Sequence, residues 1–319
     1  MLKRKKILSM LLVLMVMLFT VTACSSKSGK GTVKNDAAQS KKIKGETKYP
    51  LTIKDSYNRE VTIDNEPKRV ISIAPNITET IFALEKGDKL IGRTEYCDYP
   101  EEVKNVEVIG SLQEPNIEKI TELKPDLIIA STHFNEKTLK KFEELGMKVV
   151  VLYGEESFDG AYETIEKVGT VLNAQDKAEE VVSNMKKKVE EVKKKIEGKN
   201  KPSVYYVVGY GKGGDYTAGK GTFISQMIEM AGGKNSADDI EGWKYSVEKL
   251  IEKNPDMLVC SNRFDTKKGI ENTNGYKDLN AVKNGKLYEI DDNLINRQGP
   301  RLADGFEELA KVIHPDAFK

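Results

Sequence analysis

Two carboxylates stand out by what surrounds them. Glu118 and Glu248 lie 130 residues apart and open two segments that align without a gap, EKITELKPDLIIASTHF (118–134) and EKLIEKNPDMLVCSNRF (248–264). Seven of these 17 positions are identical. Asn116 and Ser246 stand two residues ahead, each able to cap a helix, which puts each glutamate in the first helical turn. There a carboxylate complements the positive end of the helix dipole. Each helix is short, because Pro125 and Pro255 cannot continue it. The apolar runs that follow, 127–130 and 257–260, read as strands buried on both faces. One repetition over such a distance predicts two lobes of similar build rather than a solenoid.

Other reactive residue types are sparse. His133 and His314 are the only histidines, too few for a zinc or manganese site built on three nitrogen ligands. A Ser-His-Asp hydrolase would need His133, and no G-x-S-x-G stands beside it. His133 reads as a polar residue at a strand end, with ligation of a haem iron as the alternative. Gly209, Gly211 and Gly214 satisfy G-x-G-x-x-G after a strand. A dinucleotide site also needs a helix to start there, whereas 215–221 continue as loop. The stretch 214–222 misses a phosphate loop, because a glycine follows Lys220 where Ser or Thr must hold magnesium. Arg297 and Arg301 flank Gly-Pro. Arg297 is expected to bind an anionic group on a ligand, and Arg301 to cap neighbouring carbonyls. Tyr96, Tyr99, Phe134, Tyr210, Tyr216, Trp243 and Tyr245 fall where loops should face a cleft. Flat apolar faces with a polar edge suit a large, partly polar ligand.

The elements that must position these residues alternate. A hairpin over 51–63 turns near Asn58 and Arg59. Residues 69–74 form a buried strand ended by Pro75, and Asn76 with Glu79 matches a capping box that opens a helix reaching Gly87. Strands follow near 90–92, 106–109 and 148–152, with the first repeat copy and a helix over 136–145 between them. Such alternation predicts an open, mainly parallel α/β sheet, whose ligands sit beyond the strand carboxyl ends. Those ends are Pro75-Asn76, Tyr96, Leu112-Gln113 and Thr132-His133. Residues 175–196 place Ala178, Val181, Val182, Met185, Val189, Val192 and Ile196 on one helical face. That helix would span ~33 Å and reads as a strut joining the lobes. A second lobe repeats the pattern, with strands at 203–208 and 286–290 and a last helix over 302–313.

The N-terminus has four basic residues at 3–6, then an apolar run from 7 to 21 broken only by Ser9 and Thr20. This is a signal-peptide pattern, shorter than the ~20 residues of a membrane span. Its exit, Val21-Thr22-Ala23-Cys24, resembles a bacterial lipobox in which Cys24 is lipidated and becomes the first residue. Residues 25–48 read as a flexible tether. Residues 49–319 carry 40 Lys/Arg against 48 Asp/Glu, so the body is acidic and a nucleic-acid partner is disfavoured. Cys97 and Cys260 belong to different lobes and are expected to be free thiols.

Together these residues resemble the substrate-binding proteins of iron-complex and cobalamin ABC importers, the helical-backbone class. The resemblance covers 69–318 and rests on RVISIAP (69–75) with Thr78-Glu79, YCDYP (96–100), the two Glu…Pro-Asp modules, and Gly299-Pro300-Arg301. It implies an α/β protein of two lobes, each a central mainly parallel sheet flanked by helices, joined by one long helix, with a ligand cleft between. The divisions would be a lipoprotein signal peptide (1–23), lipidated Cys24 with its tether (24–48), an N-terminal lobe (49–157), connecting helices (158–199) and a C-terminal lobe (200–319). Glu118 and Glu248 would dock on arginines of the permease. Pro75, Asn76, Tyr96, Tyr216, Trp243 and Arg297 would bind the ligand, with Tyr96 facing a corrin and Trp243 and Tyr216 as aromatic walls. Cobalamin-binding relatives use further tryptophans where this chain has Leu112 and Thr132, and an acidic residue where it has Asn293. Ferric siderophore and haem therefore stay open beside cobalamin. The expected protein is no enzyme and has no cofactor of its own, although its ligand would carry iron or cobalt. It would sit as a monomer on the outer face of the cell membrane, held by its lipid, and deliver a large metal chelate to a permease dimer with its ATPase. An adhesion or sensor lipoprotein on the same fold is the alternative, and an α/β enzyme a more remote one.

Overall fold

The structure is a computed structural model that describes residues 45–319. The leader, Cys24 and most of the tether lie outside the described residues.

Strands β1 (Leu51–Lys54) and β2 (Glu60–Ile63) pair as the antiparallel hairpin expected. Asp55 makes the turn. Its buried carboxylate accepts the amides of Tyr57 and Arg59 at 3.0 Å each and the Arg59 side chain at 2.5 Å, while Asn58 takes φ 62°. Asn tolerates that left-handed conformation better than most residues.

The N-terminal lobe is a five-stranded parallel sheet of β3 (Val70–Ser72), β4 (Leu90–Arg93), β5 (Glu107–Val108), β6 (Leu127–Ala130) and β7 (Val149–Val151). Their spatial order is β5-β4-β3-β6-β7, so the chain starts in the middle, winds one way, then returns to wind the other. A crevice opens at that reversal, between the carboxyl ends of β3 and β6. Helices α1 (Pro75–Ala83), α2 (Ile117–Leu123) and α3 (Glu136–Glu144) connect the strands. The capping box expected at Asn76 does not form. Pro75 occupies the first turn, Ala74 stands at the cap without a side-chain bond, and Glu79 is only 3% exposed and turned elsewhere. Proline at the start of the helix removes one of the N–H groups that would otherwise need an acceptor, and its fixed φ is already helical.

Helices α4 (Phe158–Val171) and α5 (Gln175–Ile196) follow. The second is the strut, 22 residues long and packed on α4 and on the last helix. Six of the seven apolar positions foreseen on its face are buried, Val181 being half-exposed.

The C-terminal lobe is a second sheet, β8 (Ser203–Gly209), β10 (Lys234–Asn235), β11 (Met257–Ser261) and β12 (Leu287–Ile290), parallel and ordered β10-β8-β11-β12. A short β9 (Tyr216–Thr217) runs antiparallel to the end of β8. Helices α6 (Phe223–Met230), α7 (Val247–Lys253), α8 (Thr266–Asn272), α9 (Asn280–Lys283), α10 (Asp292–Asn296) and α11 (Leu302–Ile313) complete it. The sequence pattern marks α7 and α11 but not α8, α9 or α10, which run only four to seven residues. So few turns show no recurring apolar face.

The repeat is structural as well as sequential. Asn116 and Ser246 cap α2 and α7 by accepting the amides of Lys119 and Lys249. Lys124 and Asn254 close them at φ 48° and 41°. The Pro-Asp pair has a second task. Asp126 accepts the amides of Lys68 and Arg69 at 2.7 and 3.0 Å, and Asp256 accepts the amide and hydroxyl of Ser203 at 2.7 Å each. Each aspartate thus clamps the start of the neighbouring strand, β3 or β8, and fixes register at the centre of its sheet.

One apolar cluster runs through both lobes and the strut. At its middle Phe158 meets Phe223 at 5.7 Å and Phe306 at 5.6 Å, both edge-on. Phe306→Ala is expected to cost ~3–5 kcal/mol and to leave a single unfolding transition in urea, because the lobes share this core. Two separated transitions in the wild-type protein would show that they do not.

Candidate ligand cleft and docking carboxylates

The loops at the strand carboxyl ends of the two sheets meet. From the N-terminal lobe come Asn76 after β3, Tyr96 and Asp98 after β4, and Ser131 after β6. From the C-terminal lobe come Arg263 after β11 and Arg297 after β12. Asn76 donates its side-chain amide to the Ser131 hydroxyl at 3.1 Å and reaches the Gln298 carbonyl of the other lobe at 3.4 Å. Gly299 packs so near Asn76 that an added Cβ would touch its backbone at 3.4 Å. Pro75 and Asn76 are half-buried.

An ionic cluster crosses the cleft at this point. Glu79, 2% exposed at its side chain, accepts from Arg297 at 2.9 Å and from Arg301 twice, at 2.9 and 2.7 Å. Arg297 also donates to Asp98 at 2.6 Å and to the Tyr96 carbonyl at 3.1 Å. Arg263 stands 3.6 Å from Asp98 and donates to Asn293 at 3.0 Å. The Arg301 guanidinium lies 3.9 Å over the Tyr99 ring. Arg301 therefore pairs with a carboxylate rather than capping carbonyls. Arg297, with 11% of its side chain exposed, is held by two carboxylates. Burial would push the Asp98 carboxyl up, but the hydrogen bond and charge of Arg297 outweigh it and hold it below the usual range. Burial would lower Arg297 and Arg301, but the carboxylates keep both raised. Three guanidinium groups thus meet two carboxylates, and Asp291 also acts on Arg301.

Three of the rings expected in the cleft are exposed. Tyr96 is 61% exposed, Trp243 44% and Tyr216 37%. The last two are neighbours, with the Thr217 amide on the Trp243 carbonyl at 2.7 Å. Their loop is braced from below. Asp215 accepts from the Tyr276 hydroxyl at 2.9 Å, and its carbonyl takes the Tyr245 amide at 3.0 Å. Two rings expected in the cleft belong elsewhere. Phe134 is in the core, stacked on Phe142 at 6.2 Å, and Tyr245 is buried against Tyr205 at 5.6 Å. Tyr210 packs on Tyr276 at 6.3 Å. The glycine-rich stretch after β8 makes a 3-10 turn over Gly211–Gly213, and the next α-helix starts at Phe223, so no helix N-terminus faces those glycines.

Glu118 and Glu248 are exposed. Helices α2 and α7 each feed a strand of a parallel sheet and run antiparallel to it, so their N-termini lie at the strand carboxyl edge, beside the cleft loops. The lysine after each glutamate is drawn away, Lys119 to Glu107 and Lys249 to Asp239. Among the described residues no Lys or Arg pairs with Glu118 or Glu248. Glu248 accepts from Ser246 at 2.5 Å, which lowers its pKa.

Comparison with known proteins places this architecture. A family model described as periplasmic binding protein matches residues 70–294. The chain belongs to the periplasmic binding protein family. YvrC of Bacillus subtilis (strain 168), an uncharacterized ABC transporter substrate-binding lipoprotein, is 38% identical over 278 residues, 85% of this chain and 88% of that protein. A cobalamin-binding protein of Halobacterium salinarum (strain ATCC 29341 / DSM 671 / R1) is 26% identical over 279 residues, 83% of this chain and 74% of its own. Among solved structures, the periplasmic heme-binding protein RhuT from Roseiflexus sp. RS-1 in apo form matches with a TM-score of 0.72 at 25% identity, covering 78% of this chain and 99% of that one. This periplasmic binding protein is accordingly an extracytoplasmic substrate-binding protein of an ABC importer, not an enzyme.

A pocket of about 530 Å³ lies behind the ionic cluster, lined by Glu79, Phe82, Tyr99, Met185, Lys188 and Arg301 among others. It sits against the strut and takes in none of the six ligand candidates. His133 is exposed at the end of β6, and the His314 ring, buried, faces the Gly232 carbonyl at 3.1 Å. No group of three or more metal-ligating side chains is placed to hold an ion among the described residues. Cys97 and Cys260 are free and buried, and burial pushes both thiols up, Cys260 to about 12.

Sequence reasoning missed Asp98 and Arg263 and gave Glu79 a local role. No periodicity could reveal a pair such as Glu79 and Arg301, 222 residues apart. Glu79→Gln is expected to destabilise by ~3–5 kcal/mol, because it leaves the largely buried Arg301 without its carboxylate and Arg297 with Asp98 alone; urea unfolding measures it. Asp98 gives a pH dependence of stated sign. Its folded pKa is depressed, so its stabilisation is full above the unfolded value of about 4 and is lost as pH falls through the folded one. Wild type should therefore lose more stability than Asp98→Asn below about pH 4, and parallel curves for the two would remove Asp98 from the linkage.

Proposed function

We propose that this protein is a lipid-anchored receptor that captures a large metal chelate between its lobes and delivers it to the permease dimer of an ABC importer. The ligand class is a corrinoid, haem or ferric siderophore. The observation that carries the reading is the pair of exposed glutamates, Glu118 and Glu248, set by the same repeat on the same edges as the cleft loops and lacking cationic partners among the described residues. A free carboxylate at each side of a cleft can pair bidentately with an arginine, which fixes orientation as well as attraction.

Several features support the ligand assignment. Tyr96, Tyr216 and Trp243 would offer ring faces to a broad ligand, and Arg297 would favour an anionic group on it. Pro75 and Asn76 would contact it at the reversal of strand order. Similar proteins include a cobalamin-binding and a heme-binding one, which fits a chelate of that size. The anchor rests on the lipobox at Cys24, and YvrC is named a lipoprotein. The leader (1–23) would be removed, and the monomer would swing on its tether at the outer face of the cell membrane.

Ligand capture is tested by titrating the soluble body with cyanocobalamin, haemin and ferrichrome while following the fluorescence of Trp243, the only tryptophan. One of the three is expected to quench it saturably. In the Glu118→Ala/Glu248→Ala double variant the Kd should stay at the wild-type value while uptake by cells falls at least ~10-fold, as expected when charge-assisted pairs at an interface are lost. Uptake at the wild-type rate would remove the docking role from both residues.

A further inference from the structure

The two repeat copies end on the same residue, yet its fate differs. Phe134 is 4% exposed and stacked in the core, while Phe264, at the matching position, is 92% exposed. The backbone explains the difference. In the first copy the left-handed residue is His133, at φ 61°, just before the phenylalanine. In the second copy it is Phe264 itself, at φ 57°, followed by Asp265 at 51°. Moving the left-handed position by one residue turns the ring from the core to the outside. Two consecutive non-glycine residues in that region are uncommon and strained, and such strain concentrates at ligand clamps.

The exposed ring is neither loose nor remote. The Arg263 amide is held by the Ser261 hydroxyl at 3.1 Å, and the Arg263 carbonyl accepts the amide and hydroxyl of Thr266 at 3.1 and 2.5 Å. Backbone on both sides of Phe264 is thereby fixed. The ring centroid lies 5.8 Å from the Arg263 guanidinium, which itself stands 3.6 Å from Asp98 of the opposite lobe. That chain of distances links the ring, through Arg263, to the ionic cluster that crosses the cleft.

We propose that Phe264 is a ligand-contacting residue whose ring packs on the face of the bound chelate and, with Arg263 beneath it, sets which chelates the cleft accepts. The proposal rests on the receptor reading and adds to it a specificity-determining residue. A large apolar ring held out in water by a pinned backbone is pre-organised for a partner, so little conformational freedom is lost when the ligand arrives.

The test compares wild type with Phe264→Ala and Phe264→Tyr, using cyanocobalamin, haemin and ferrichrome as probes and thermal unfolding as the control for folding. For the probe that wild type binds, Phe264→Ala is expected to raise Kd by about tenfold, as for an aromatic anchor at a contact centre. Its Tm should not fall, because the ring makes almost no core contact. Phe264→Tyr should restore binding, since it returns the ring. Equal affinity of wild type and Phe264→Ala would overturn the proposal even if uptake fell, because the ring would then serve the permease. Failure of wild type to bind any of the three probes would overturn the ligand class itself and this inference with it, so the two failures are distinguishable.

Discussion

Glu79 has almost no access to water, and two guanidinium groups from the far end of the chain converge on it. A carboxylate so placed is tolerated only while its partners stay, and its partners belong to the other lobe. The pair of lobes is therefore not free to separate without uncovering charge. Arg297 extends the tie to Asp98 and to the Tyr96 backbone, so the position of a candidate ligand-facing ring depends on the same contact. Residues that look like a binding site from their types alone are in this structure first of all a clasp.

The strut works in the same direction. Gln175–Ile196 buries one face along its length against α4 and α11, and the apolar cluster it belongs to is continuous across both sheets. A helix with a packed face resists bending, whereas a pair of extended crossings would act as hinges. With the clasp at one side and the strut at the other, the cleft between them is a slot of nearly fixed width. Such a slot suits a rigid ligand that fills it and does not need to be wrapped.

The repeat shows how one motif can serve different ends. Its Pro-Asp step does the same work twice, ending a helix and anchoring the adjacent strand. Its glutamates are both left exposed, because in both copies the next lysine finds another acid. The copies diverge at their last residues, beyond the strands, where a shift of the left-handed backbone position leaves one phenylalanine in the core and the other exposed. Elements under the sheet are constrained by packing and stay alike, while the loops at its edge are free to differ and carry the specificity.

What the sequence by itself determined was local or periodic. The strut was legible because seven apolar residues recur on one face. The repeat was legible because Asn116, Pro125 and their counterparts punctuate helices by rules that act within a few residues. The open parallel sheets followed from alternation of strand and helix. The tertiary structure decided the rest. Asn76 and Glu79 satisfy a capping pattern and yet serve the interface, since the helix already starts at Pro75 and two arginines offer Glu79 a stronger partner. Arg301 pairs with Glu79, 222 residues away, which no local pattern marks. Phe134 and Tyr245 were placed in the cleft because exposure depends on a dihedral and on packing that residue type does not encode. Ion pairs between segments more than 200 residues apart are set by how the lobes dock, and that docking is a property of the whole folded chain.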